Sequence, residues 1–219
     1  MRTLVINGSP KGKNGNTEIF IKQFIAGMKV PCEICYVAKE DRLQLAKYIK
    51  QFDTVIVAMP LYIHAMPGIV MKLIECMEPA SGDGKAMGFI VQSGFMESTQ
   101  SKYLERYLSV LTKQLNYSYL GTVIKGGSAG IHMMPEQMNK KLFKQLRILG
   151  EHFELNGSFH MEITKELAKP NKLSKGKSRL MQFAGGLGLG DSMFWNMMLK
   201  KNNALGRKFD KPFDREDLS

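Results

Sequence analysis

Thr3-Leu4-Val5-Ile6-Asn7-Gly8-Ser9-Pro10-Lys11-Gly12-Lys13-Asn14-Gly15-Asn16-Thr17 decides how this chain reads. The first five residues hold the apolar run Leu4-Val5-Ile6 between Thr3 and a closing Asn7, the pattern of a short buried strand. The next ten hold three glycines (Gly8, Gly12, Gly15), two hydroxyls (Ser9, Thr17) and two amides (Asn14, Asn16). An amphipathic helix follows from about Glu18. At the start of such a helix the backbone N–H groups lack partners, and the helix dipole favours an anion. Glycines let the main chain close around a phosphate, and small polar side chains add donors. The alternative is an ordinary glycine-rich strand-to-helix turn.

The loop does not match two common phosphate signatures. A triphosphate loop requires G-x-x-x-x-G-K-[ST], but Gly12 comes too soon after Gly8 and Asn14 follows Lys13. A dinucleotide fingerprint requires G-x-G-x-x-G, which is absent here. A second segment supplies context. Asp53-Thr54-Val55-Ile56-Val57-Ala58 is another buried strand, followed by Met59-Pro60-Leu61-Tyr62-Ile63-His64-Ala65-Met66-Pro67-Gly68. A helix then starts near Ile69, with Val70, Leu73, Ile74 and Met77 at helical spacing.

With its S-x-x-x-x-x-G-N-T loop and its P-x-Y-x-x-x-x-P loop, the chain resembles the NAD(P)H-dependent FMN reductases over about residues 2–155. The resemblance implies a flavodoxin-like α/β fold: a doubly wound, parallel five-stranded sheet of order 2-1-3-4-5, here with a helical C-terminal extension. It also implies an FMN cofactor and NAD(P)H as co-substrate. Ser9, Lys11, Asn16 and Thr17 correspond to the phosphate loop, and Pro60, Leu61, Tyr62 and Ile63 to the flavin-ring loop. Gln92-Ser93-Gly94-Phe95-Met96-Glu97 resembles the third flavin loop, with Ser93, Gly94 and Phe95 facing the pyrimidine end. Lys11 stands where many relatives carry Arg, which keeps the charge but not the bidentate fork. His64-Ala65-Met66 departs from the small polar residues usual there, which puts the substrate in question rather than flavin binding. In a sheet of this order, strands one and three are neighbours whose connections leave in opposite directions, and ligands bind in the crevice between them.

Alternating segments support that architecture: strands over 2–7, 32–37, 53–58, 86–92 and 118–124, and helices over 17–28, 41–51, 68–78, 98–115 and 136–155. Units of this length imply right-handed crossovers and a parallel sheet. The expected division is a flavodoxin-like FMN-binding domain over 1–159 and an extension of two or three short helices over 160–219. The run Gly185–Gly190 alternates like a dinucleotide motif, but no strand precedes it, so it reads as a linker. Met193, Phe194, Trp195, Met197 and Met198 read as packing residues of a lid or dimer arm.

Composition limits the remaining options. The 219 residues are 44% hydrophobic, enough for a core. No apolar run reaches the roughly 18 residues of a membrane span. The chain enters a strand at once, without a signal-peptide pattern, which predicts a cytoplasmic protein. Cys32, Cys35 and Cys76 are too few for a disulfide framework. Cys32 and Cys35 lie within a predicted strand rather than a cluster motif. The formal charge is +11, and from Lys165 to Lys211 there are 11 basic residues against 3 acidic ones. Those charges are not interleaved with aromatics and carry no nucleic-acid motif, so they suit an acidic small molecule better than DNA or RNA.

Three functions compete. The first is an FMN-dependent NAD(P)H oxidoreductase passing electrons to a small acceptor such as a quinone or free flavin, acting as a homodimer or higher homo-oligomer. The second is a flavodoxin-like electron carrier without NAD(P)H turnover. Against it, flavodoxins are typically acidic and use a T-x-T-G-x-T loop. The third is a basic regulatory or nucleic-acid protein on the same scaffold. Flavin chemistry occurs on the cofactor, so no catalytic side chain stands out. His64 and His132, both in edge loops, are the candidate proton donors, and no metal site is expected.

Overall fold

The computed structural model describes residues 2–82, 84–170, 196 and 198–211. The chain divides into two compact units, Met1–Asn171 and Lys172–Ser219. The first contains strands β1 (Thr3–Asn7), β2 (Glu33–Tyr36), β3 (Thr54–Pro60), β4 (Ala86–Gln92) and β5 (Ser118–Lys125). Its helices are α1 (Asn16–Ile25), α2 (Arg42–Ile49), α3 (Gly68–Glu75), α4 (Lys102–Gln114), α5 (Glu136–Asn156) and α6 (Met161–Leu167).

All five strands run parallel in the order β2-β1-β3-β4-β5. Strand periodicity splits the core into two layers. Leu4, Ile6, Val55, Val57, Met59, Met87, Phe89 and Val91 point to one side and pack on Leu45 and Ile49 of α2, Val70 and Leu73 of α3, and Leu104, Leu108 and Leu111 of α4. Val5, Ile56, Ala58 and Ile90 point to the other, against Phe20, Ile21 and Phe24 of α1, Leu146, Leu149 and Phe153 of α5, and Leu167 of α6. Central strands buried on both faces read as continuous apolar runs, which is why they stand out in the sequence. Cys32 joins the second layer and Cys35 the first, and both thiols are free.

Helices α1 and α5 cross in close contact at two glycines. A Cβ on Gly27 would overlap the Arg147 carbonyl, and one on Gly150 the Phe24 carbonyl. This approach ends α1 at Ile25, short of the expected 28. The predicted helix over 98–115 begins instead with a 3-10 turn, Ser98–Ser101, where the Ser98 hydroxyl is held by the Ala168 carbonyl. Helix α6 falls in the predicted extension but packs on β5 and α5 through buried Leu167, with Phe159 just ahead of it. The sheet-bearing unit runs to Asn171.

In the second unit, residues 198–201 are helical and Leu205–Arg207 form a 3-10 turn. Arg207 pairs with Asp210 at 2.8 Å, and Lys208 donates to Asn196 at 3.1 Å. The expectations for Gly185–Gly190, Met193-Phe194-Trp195 and Met197 lie outside the described residues. Among the described residues no helix is long and apolar enough to cross a membrane.

Candidate active site

The loop after β1 is braced from below. Asn7 Nδ2 donates to Glu18 Oε2 at 2.9 Å and to the Gly12 carbonyl at 3.3 Å, while its Oδ1 accepts from Ser9 N at 3.0 Å. Glu18 is buried in the first turn of α1 and also accepts from the Tyr36 hydroxyl at 3.0 Å. A carboxylate there complements the helix dipole. Burial, then the hydrogen bond to Glu18, holds the Tyr36 phenol above its usual pKa. Gly12 adopts φ +51°, which opens a single 3-10 turn over Gly12–Asn14. Gly15 must be glycine for space: a Cβ there would lie 2.8 Å from Ser9 Oγ. As the first residues of α1, Asn16 and Thr17 have N–H groups without an intrahelical acceptor.

A second wall comes from the end of β3. Leu61 N donates to the Gln92 carbonyl at 2.8 Å, and Tyr62 and Ala65 exchange both backbone bonds at 2.9 and 3.0 Å. Between them Ile63 (φ +47°) and His64 (φ +63°) form a two-residue reversal with both central residues left-handed, the geometry of a type I′ hairpin turn. The third wall follows β4. Ser93 N donates to the Lys125 carbonyl at 2.9 Å. Gln92 Nε2 donates to Thr17 Oγ1 at 3.4 Å, and the Ser128 hydroxyl donates to Gln92 Oε1 and the Ser93 carbonyl. Asn16 then closes the ring of loops. Its Nδ2 donates to the Ser128 carbonyl at 2.7 Å and the Ala129 carbonyl at 3.3 Å, and its Oδ1 lies 3.0 Å from His132 Nδ1.

These loops enclose a cleft of about 220 Å³ at the C-terminal edge of β1, β3 and β4. Of the residues expected from sequence, Ser9, Lys11, Asn16, Pro60, Leu61, Tyr62, Ser93 and Gly94 line it, as does His132. Thr17, Ile63, Phe95 and His64 do not. The Thr17 side chain is 1% exposed and turns inward to Gln92. Ile63 is 95% exposed at the hairpin tip, and Phe95 also points to solvent. His64 lines a separate pocket together with residues of α4. Lys13 sits over the Tyr36 ring at 5.3 Å, which leaves Lys11 as the lysine at the cleft.

Asn14 and Gly15 of the phosphate loop, Gln92 of the third flavin loop and Ala129 of the loop after β5 also line the cleft, though the sequence assigned none of them a role of its own; sequence reasoning missed Asn7, Glu18 and Tyr36 as the brace beneath. A polar residue closing a buried strand and an acid in the first helical turn were the available signals for Asn7 and Glu18. Gln92 gave none, because a glutamine ending a strand is ordinary. Among the described residues no group of His, Cys, Asp and Glu is arranged to hold a metal.

Sheet order, layering and the position of this cleft define a flavodoxin-like α/β protein. No family model and no curated protein matches the sequence, but solved structures match the fold. The NAD(P)H:quinone oxidoreductase from Methanothermobacter marburgensis aligns with 70% of this chain and 97% of its own, with a TM-score of 0.55 and 12% identity. The FMN-dependent NADH-azoreductase from Bacillus anthracis str. Ames Ancestor, in complex with FMN, aligns with 70% and 100%, with a TM-score of 0.54 and 15% identity. The apo NADH:FMN oxidoreductase EMOB aligns with 78% and 96%, with a TM-score of 0.52 and 17% identity. At these identities the likeness is one of architecture.

Proposed function

We propose that this chain binds FMN in the cleft and acts as an NAD(P)H oxidoreductase that passes electrons to a small acceptor such as a quinone or free flavin. The observation that carries the reading is a single cleft, at the switch between β1 and β3, joining a phosphate-type loop to a Pro-Tyr loop. The residues present fit the cofactor. Gly15 leaves room beside Ser9 Oγ, the Asn16 and Thr17 N–H groups point out of the helix start, and Lys11 supplies a positive charge for a phosphate dianion. Pro60, Leu61, Tyr62, Ser93 and Gly94 form a wall of main chain and one aromatic for a planar ring. Bound FMN would accept a hydride and release electrons. The protein's part is to hold the phosphate, fix the ring plane and keep one face open to the next reactant. The fold neighbours, among them an FMN-dependent NADH-azoreductase, an NAD(P)H:quinone oxidoreductase and an NADH:FMN oxidoreductase, support this reading.

The test is reconstitution of the purified chain with FMN, removal of free flavin, and anaerobic titration with NADPH and NADH. Retained flavin absorbance that bleaches with a nicotinamide nucleotide and recovers with a quinone is the expected result. Retained flavin that neither nucleotide bleaches would instead indicate an electron carrier. Failure to retain FMN would overturn the reading altogether.

A further inference from the structure

A second pocket, of about 440 Å³, opens on the other side of the Tyr62–Ala65 hairpin, between His64 and α4. Its lining includes Thr99, Lys102, Tyr103 and Arg106. We infer that this pocket takes the 2′-phosphoadenosine end of NADPH, so that NADPH rather than NADH is the nicotinamide substrate. The inference rests on the oxidoreductase reading above and deepens it.

Lys102 and Arg106 are four residues apart on α4 and project from the same face. Among the described residues neither makes a salt bridge, whereas Lys50, Lys141, Lys165 and Arg207 all do. The acid whose charge reaches Lys102 is Glu105, which is half-buried on the same helix and short of ion-pair distance. Two unpaired cations flanking a pocket suit a dianion. A guanidinium grips phosphate oxygens bidentately, while an ammonium adds a point charge. Tyr103 lies between them in sequence and is 71% exposed, an aromatic ring available for stacking on a purine.

Position links this pocket to the cleft. Tyr62, which opens the two-residue reversal, lines the cleft, and His64, the second of its central residues, lines the second pocket. One extended dinucleotide can therefore place its nicotinamide at the cleft and its adenosine beyond the hairpin. The hairpin tip holds Ile63, a β-branched residue, at φ +47°. A strained conformation of that kind persists where the surroundings over-determine it, and such outliers cluster at ligand clamps.

The test uses the full chain loaded with FMN. Adenosine 2′,5′-bisphosphate and adenosine 5′-monophosphate are titrated by calorimetry, and kcat/KM is measured for NADPH and NADH. The bisphosphate is expected to bind at least about tenfold tighter than the monophosphate, since charge-assisted phosphate contacts are the strong class of hydrogen bond. Lys102→Ala/Arg106→Ala should abolish that difference and lower the NADPH-to-NADH preference through KM. Lys140→Ala/Lys144→Ala removes the same charge from the exposed face of α5 and should change neither. Matching thermal melts establish that both double variants fold. Equal binding of the two adenosine nucleotides overturns the inference. So does a preference that survives the α4 substitutions, or an equal loss in the α5 control. If neither nicotinamide nucleotide reduces the bound flavin, the oxidoreductase reading fails, and the bisphosphate titration still decides whether this pocket recognises a 2′-phosphate.

Discussion

Replacing Asn16 with Ala separates two roles that its position at the phosphate loop confounds. The structure commits the carboxamide to the 128–132 loop, through the 2.7 Å bond to Ser128 O, the 3.3 Å bond to Ala129 O and the contact with His132. A neutral hydrogen bond is worth a net 0.5–1.5 kcal/mol, at order-of-magnitude level. Only the Ser128 bond is partly buried, so the two exposed contacts add little, and the expected loss is about 1–2 kcal/mol. For a chain of this size each kcal/mol moves the melting midpoint by roughly 2–4 °C. Asn16→Ala should therefore melt about 2–8 °C lower with no FMN present. Because Ser128 in turn holds Gln92 and Ser93, FMN affinity should fall as well. Asn16→Asp should lose more, since a carboxylate cannot donate to Ser128 O and repels a phosphate. The assay is a thermal melt by circular dichroism with and without FMN, alongside a fluorescence titration of the cofactor. A flavin-free midpoint equal to that of the unsubstituted protein, with FMN affinity reduced, would refute the reasoning: the carboxamide would then be a ligand of the phosphate and not a strut.

Three further outcomes follow from the geometry. Gly150→Ala should destabilise by about 1–3 kcal/mol or more through overpacking against α1, whereas Gly68→Ala, with open space at a helix start, should be neutral or slightly stabilising; chemical denaturation compares them, and equal midpoints would count against the close crossing. Ile63→Asn should raise the melting midpoint, because asparagine tolerates positive φ and about 1 kcal/mol of strain is relieved; an unchanged or lower midpoint argues that the turn is unstrained. Burial, with Glu33 nearby, pushes the Cys32 and Cys35 thiols up to about 11, so the folded chain keeps protons that the unfolded chain sheds near pH 9; stability should be full below about pH 9 and fall toward pH 11, and urea midpoints across that range should flatten in Cys32→Ala/Cys35→Ala.

The sheet was legible because its inner strands are apolar on both faces, and β4 begins and ends at the residues expected. Helix ends were less so. Ala26 and Met28 suit a helix, but Gly27 between them packs against the Arg147 backbone and the chain turns away. At the site, the loops singled out by their motifs meet at one cleft, but motif spacing could not say which way each side chain turns. Thr17 falls on the face of α1 that looks into the molecule, so its hydroxyl serves Gln92. Ile63 and His64 carry no turn signature of the Asn-Gly kind, so the reversal that sends one outward and the other toward α4 was not readable. The Asn7–Glu18–Tyr36 brace joins residues far apart in sequence whose proximity only the fold creates.

Strand β2 leaves one side of the sheet open: it pairs with β1 and, among the described residues, with no other strand. An unpaired edge is a template on which a second chain can add a strand and begin to aggregate. Here the edge is four residues long and starts with Glu33, whose carboxylate accepts from the Tyr48 hydroxyl at 2.8 and 3.0 Å. An incoming strand would find few bonds to make and a negative charge at its first rung. The same residue that perturbs the neighbouring thiols thus guards the β2 border of the sheet against an added strand.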